Sequence, residues 1–121
     1  MNREKTREYY RNIREEDLCD CEDCRLFYRT FASSYPDVSS YLETLGIDAG
    51  KPLETMPLFR NEEGVMVYCG PQYVIMGGPG DFEKTEVGGV SFKVTDSHPY
   101  TGIDEEHFVI ELSEIDLKEA V

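Results

Sequence analysis

The chain has no tryptophan, two histidines, and 12 Lys and Arg residues against 25 Asp and Glu, which leaves a net charge of −13. So few cations disfavour binding to phosphate backbones or anionic lipid, because a surface of this sign repels both. No apolar run approaches the roughly 18 residues of a membrane span. The opening "MNREKTREYYRNIREE" is charged from its third residue and holds no apolar stretch of the kind found in secretory leaders. The expectation is a cytoplasmic protein with reduced thiols, in which four cysteines do not form a disulfide framework.

Other absences narrow the chemistry. "GGPG" at 77–80 is not followed by Lys-Ser/Thr, so it is a turn and not a phosphate loop. Asp104, Glu105 and Glu106 lack the spacing of a calcium loop and fit a solvated segment. His98, in "SHP", and His107, before "FVIEL", fit solvent and strand-entry positions better than a general base.

The acid excess is uneven. Residues 1–30 hold seven basic and eight acidic residues, and residues 31–121 hold five and seventeen. A surface of that kind keeps a protein soluble, and it also suits a basic protein partner.

At 121 residues the chain supports one domain with one modest core. Tyr9, Tyr10 and Ile13 make a narrow apolar stripe on a first, charged helix that frays before residue 5. Cys21, Cys24, Phe27, Tyr28 and Phe31 then recur at helical steps, with Asp20 as N-cap. In "SSYPDVSSYLETLGID", Ser34 and Asp37 approach a capping box and Pro36 suits a first turn. Gly46 supplies a left-handed stop, with Ile47 folding back toward Leu42. Beyond "DAGKP" come short runs rich in Val, Tyr, Phe, Ile and Met: "LETMPLF", "VMVYCG", "QYVIMGG", "VSFKV" and "HFVIEL". Tyr68, Tyr73 and Phe92 are placed to pack together if their strands share a face. The fold class expected is α+β, with N-terminal helices packed on a single, mainly antiparallel sheet of about four or five strands. Residues 1–46 form its helical part, 53–112 a β-meander, and 113–121 a C-terminal tail.

What stands out is "DLCDCEDCRLF", which crowds Cys19, Cys21 and Cys24 into six positions. Cys21-x-x-Cys24 has the spacing with which a turn entering a helix grips zinc, Cys19 adds a third thiol, and Cys69 in "VYCGP" is placed to complete a tetrahedral set. A second paired element is missing, and Asp20, Glu22 and Asp23 raise thiol pKa values unless a cation is present. Cys21 and Cys24 also fall on the apolar stripe, where cysteine is a small buried hydrophobe. Three readings stay open: structural zinc on Cys19, Cys21, Cys24 and Cys69, buried inert thiols, or reactive thiols at a helix start.

"CDCEDCRLFYRTF", "LETLGIDAGKP" and "VMVYCGPQYVIMGG" together resemble a family of small bacterial proteins that open with closely spaced cysteines and a helix. These proteins pass through an "LGID…KP" joint into an antiparallel sheet. The resemblance covers residues 17–112 and implies an α+β fold and a bacterial cytoplasm. It carries no activity with it, and "GPQYV" at 70–74 departs from its pattern. The function expected is a non-enzymatic binding protein for a basic partner, or one that associates with itself. A thiol- or metal-dependent enzyme using Cys21 or Cys24 and a structural oligomer subunit are the alternatives.

Overall fold

In the structure, a computed structural model that describes residues 1–119, helices occupy the first third of the chain and strands the rest. Helix α1 spans Arg3–Arg11, and the Asn2 side chain caps it by accepting from the Lys5 amide at 3.0 Å. A 3-10 turn over Glu15–Asp17 leads to α2, Glu22–Ser34, and α3 follows at Pro36–Thr44. Pro36 is the first residue of α3, where its missing N–H costs nothing. The cap is Tyr35, not Ser34, because α2 runs through Ser34 and leaves one residue for the corner.

Gly46 stops α3 as expected, with φ +88°. The Ile47 amide donates back to the Leu42 carbonyl at 3.1 Å and places Ile47 in the core.

The strands correct the single-sheet expectation. Among the described residues they form two antiparallel sheets. The smaller comprises β1 (Pro57–Arg60), β2 (Val65–Tyr68) and β7 (Ile115–Lys118) in the order β1-β2-β7. The larger comprises β3 (Gln72–Met76), β4 (Thr85–Val87), β5 (Val90–Thr95) and β6 (His107–Leu112) in the order β3-β6-β5-β4. The chain changes sheet at Gly70–Pro71 and again at Ser113–Glu114. Pro71 has no N–H to offer a ladder, so a strand cannot run through it unbroken. Residues 113–121, read from the sequence as a tail, contain β7, which pairs Ile115 with Tyr68 and Leu117 with Met66; the last two residues of that segment lie outside the described part.

The core lies where α2, α3 and both sheets meet. Phe27 and Phe31 of α2 stack at 4.6 Å, and Tyr68 of β2 meets Phe27 edge-on at 5.1 Å. Tyr73 and Phe92 share the larger sheet and Tyr68 lies in the smaller one, so the condition of a shared sheet face is not met, although all three are buried in one core cluster. A small second cluster of Val74, Met76 and Val109 occupies the reverse face of β3 and β6. α1 lies along the free edge of β3 and buries only Thr6 and Tyr10. No helix among the described residues is long and apolar enough to cross a membrane.

Candidate metal centre

Helix α2 begins where "CEDC" turns into it. Glu22 and Asp23 occupy its first turn, where the helix dipole favours negative charge. The cap is Cys21, one residue later than the Asp20 expected: its extended backbone lays Sγ over the Cys24 amide, which donates to it at 3.3 Å. A thiol thus does the work of a capping oxygen. Cys24 lies one turn in, on the buried face it shares with Phe27 and Phe31, and Cys19 precedes the cap in irregular chain.

This geometry gathers three sulfurs. The Sγ atoms of Cys19, Cys21 and Cys24 all lie within 4.8 Å of one another, with Cys19 and Cys21 exposed and Cys24 buried. Thiolates bound about 2.3 Å from a tetrahedral zinc stand about 3.8 Å apart, so the group needs only a modest contraction to hold that ion. The supports are local. The Tyr28 hydroxyl, one turn past Cys24, donates to the Cys19 carbonyl at 3.0 Å and holds the entering chain against α2. Thr55 Oγ1, from the chain leading into β1, lies 3.2 Å from Cys24 Sγ. Glu54 braces that segment by accepting from the Thr55 and Met56 amides at 3.0 and 3.1 Å.

The electrostatics differ between the thiols. Donation from the Cys24 amide lowers the Cys21 pKa, whereas burial pushes Cys24 up to about 12. Without a metal Cys24 therefore keeps its proton at neutral pH, and a metal must displace it on binding. Behind the sulfurs a cavity of about 80 Å³ is lined by Cys19, Cys24, Tyr28 and Thr55. On the other side of Cys19 a more open cleft of about 590 Å³ is walled by Tyr28, Arg25, Arg29 and Lys51.

Cys69 stands outside the three-sulfur group. It follows Tyr68, whose ring packs on Phe27 and whose hydroxyl donates to the Asp23 carbonyl in the first turn of α2. Cys69 lies in the bend just past the end of β2, and it is exposed. The histidines are also elsewhere. Both ring nitrogens of His107 are engaged, by Thr101 Oγ1 at 2.8 Å and the Glu105 carbonyl at 2.7 Å, and His98 is exposed beside the Pro99 carbonyl. Asp104, Glu105 and Glu106 are exposed, with Glu105 paired to Lys5. Thr55 and Tyr28 are the site residues that the sequence did not single out for a role. A threonine in a strand-like run carries no local signal of a contact made 31 positions away.

No family model matches this chain, and neither does any curated protein or any solved structure.

Proposed function

We propose that this is a binding protein, not a catalyst, in which Cys19, Cys21 and Cys24 hold a structural zinc ion. The observation that carries the reading is the mutual approach of three sulfurs to within 4.8 Å. Zinc is favoured by the donor set, since thiolates select soft or borderline ions over magnesium or calcium. Asp20, Glu22 and Asp23 around the thiols add negative charge that a bound cation offsets. In this role the metal ties the chain before α2 to the first turn of that helix, and through Cys24 and Thr55 to the joint ahead of β1. The excess of acids over bases beyond residue 30 suits a basic protein partner, whose binding then weakens as salt rises.

The test is metal content by mass spectrometry on protein purified without a histidine tag, with thiols counted before and after chelation. One zinc per chain, with three thiols shielded until the metal is removed, supports the reading. Four freely titrating thiols and no metal sink it.

A second reading is favoured by the position of Cys21, an exposed thiol at a helix start that accepts an amide hydrogen bond. It makes Cys21 a nucleophile, and it requires Cys21 of the metal-free chain to react with iodoacetamide well ahead of Cys69.

A further inference from the structure

We infer that the metal centre is completed by a second copy of this chain, whose Cys69 supplies the fourth thiolate and whose own three thiols receive Cys69 in return. This rests on the reading of Cys19, Cys21 and Cys24 as metal ligands. A structural zinc takes four protein donors in tetrahedral array, and the group within one chain offers three. The fourth cysteine lies outside that group and is exposed. Tyr68 anchors the end of β2 inward through Phe27 and the Asp23 carbonyl. The Cys69 amide is fixed to the Met56 carbonyl at 2.8 Å, which holds its backbone beside the start of β1.

The surface that carries Cys69 is suited to a partner. Phe59 lies opposite Val67 in the ladder; Val67 is buried, so the exposed apolar surface belongs to the edge strand β1. Phe59 is 52% exposed and Leu58, the extra residue at a break in register, is 61% exposed. Met56 sits in the left-handed region at φ 58°, a conformation costly for this side chain, and it too is exposed. β1 is an edge strand, and Arg60 binds Asp23 at 3.0 Å, tying that edge to the first turn of α2. One surface therefore runs from Cys69 round β1 to the exposed Cys19 and Cys21. Pro57 and the irregularity at Leu58 prevent strand-to-strand pairing there, so side chains and metal make the contact, not a shared ladder.

Charge selects the occupant. Two chains of net charge −13 repel over most of their surface, but β1 and β2 together hold a single charged residue, Arg60. A basic partner has little to pair with on these two strands, whereas a second copy meets them with strands that carry no acid. The chain itself also carries the missing ligand. A two-fold axis exchanges Cys69 between the copies and closes both centres at once.

The test uses the full chain, reduced and stripped of metal, then given one equivalent of zinc, with size followed by sedimentation across a range of protein concentrations. The expected result is a monomer without zinc and a dimer with one zinc per chain. Cys69→Ser, at an exposed position, is expected to bind zinc more weakly through three thiols and to stay monomeric. Cobalt(II) is the second readout: its visible bands should report four sulfurs in the wild-type dimer and three in the variant. Phe59→Lys is expected to weaken the zinc-dependent dimer by about tenfold or more. A wild-type chain that binds zinc yet stays monomeric, or a Cys69→Ser chain that dimerises equally well, overturns the inference and leaves the three-thiol site standing. A chain that takes up no zinc overturns both.

Discussion

The Tyr10 hydroxyl meets both backbone polar groups of Val74, accepting from its N–H at 3.0 Å and donating to its carbonyl at 2.8 Å. Apart from a bridge between Gln72 and Glu54, β3 pairs among the described residues with β6 alone, so the rest of its other edge would present bare amides and carbonyls, and here a helix side chain satisfies them as a neighbouring strand would. Thr6 extends the device by accepting from the Met76 amide at 3.0 Å, and the Asn2 amide donates to the Met76 carbonyl at 2.8 Å. The far edge of the smaller sheet is closed in the same way. Tyr35 OH accepts from the Asp116 amide at 3.0 Å and donates to its carbonyl at 3.3 Å. Two of the eight tyrosines thus act as strand-edge caps, a use that tryptophan, with a donor only, cannot serve.

Replacing Tyr10 by Phe keeps the ring in place and removes both bonds. Two buried backbone groups are then left without partners, at a cost of about 1–3 kcal/mol each before any water enters. The variant is expected to lose about 2–4 kcal/mol in urea unfolding, with an unchanged slope. Tyr35→Phe, at a site where water can replace the hydroxyl, should lose about 1 kcal/mol or less. Equal losses in the two variants would refute the assignment of the larger role to Tyr10.

Gly46 makes a sharper case. Its φ of +88° disfavours any side chain, and a Cβ there would stand 2.6 Å from the Arg3 carbonyl oxygen. That oxygen belongs to the backbone of α1, so relief requires moving the helix, not a flexible side chain. Gly46→Ala is expected to destabilise by about 2 kcal/mol or more, the sum of a strained conformation and a displaced contact. A thermal melt would show this as a lower midpoint, and a melt matching the wild type would mean that α1 shifts freely.

The parts legible in the sequence were those set by local rules. The stop at Gly46, the first-turn position of Pro36 and the cores of five strands each follow from a few neighbouring residues. What could not be read depends on distant partners. β7 reads as a polar tail because Asp116 and Lys118 alternate with Ile115 and Leu117, a pattern that becomes a strand only against Tyr68 and Met66 of β2. β4, three residues long, offers too short a run to register. Spacing sufficed to group Cys19, Cys21 and Cys24, since all three fall within six positions at the entry to α2. The position of Cys69 depends on how the end of β2 sits against α2, and that is set by the contact of Tyr68 with Phe27 on another element.

High pH should open the fold through its buried phenols. Burial raises the pKa of Tyr10 and Tyr73 well above the ordinary value of 10.0. Below pH 10 both are neutral, folded or unfolded, and contribute fully. As pH rises above the unfolded value, the unfolded chain releases protons that the folded chain retains, so stability falls. In the metal-free protein Cys24, pushed up to about 12 by burial, acts with the same sign but from about pH 8.5, where an unfolded thiol ionises. The measurement is an alkaline titration that follows phenolate absorbance and circular dichroism together. The last phenolate signal should appear with loss of structure. If Tyr10 and Tyr73 ionise while the fold stays intact, the buried bonds from Tyr10 to Val74 and from Tyr73 to the Ala49 carbonyl are not holding them.

Removing the metal should loosen one region and leave the core alone. The proposed ion contacts Cys19 and Cys21, which precede α2, and Cys24, whose other neighbour is Thr55. Phe27, Phe31, Tyr68 and Ile115 pack without reference to it and keep α2 on β2 and β7. Local opening follows local contact density, so the effect of chelation should stay near the ligands. Hydrogen exchange on the loaded and metal-free protein is expected to differ over residues 15–26 and 52–56 and to agree within β5 and β6. The Tyr28 hydroxyl on the Cys19 carbonyl sets a limit on that opening. In Tyr28→Phe the metal-free segment should therefore exchange faster still, whereas the loaded segment should change little. Faster exchange spread through the larger sheet on chelation would instead make the metal a requirement of the whole fold. No change in any segment would leave the three thiols as bystanders at the start of a helix.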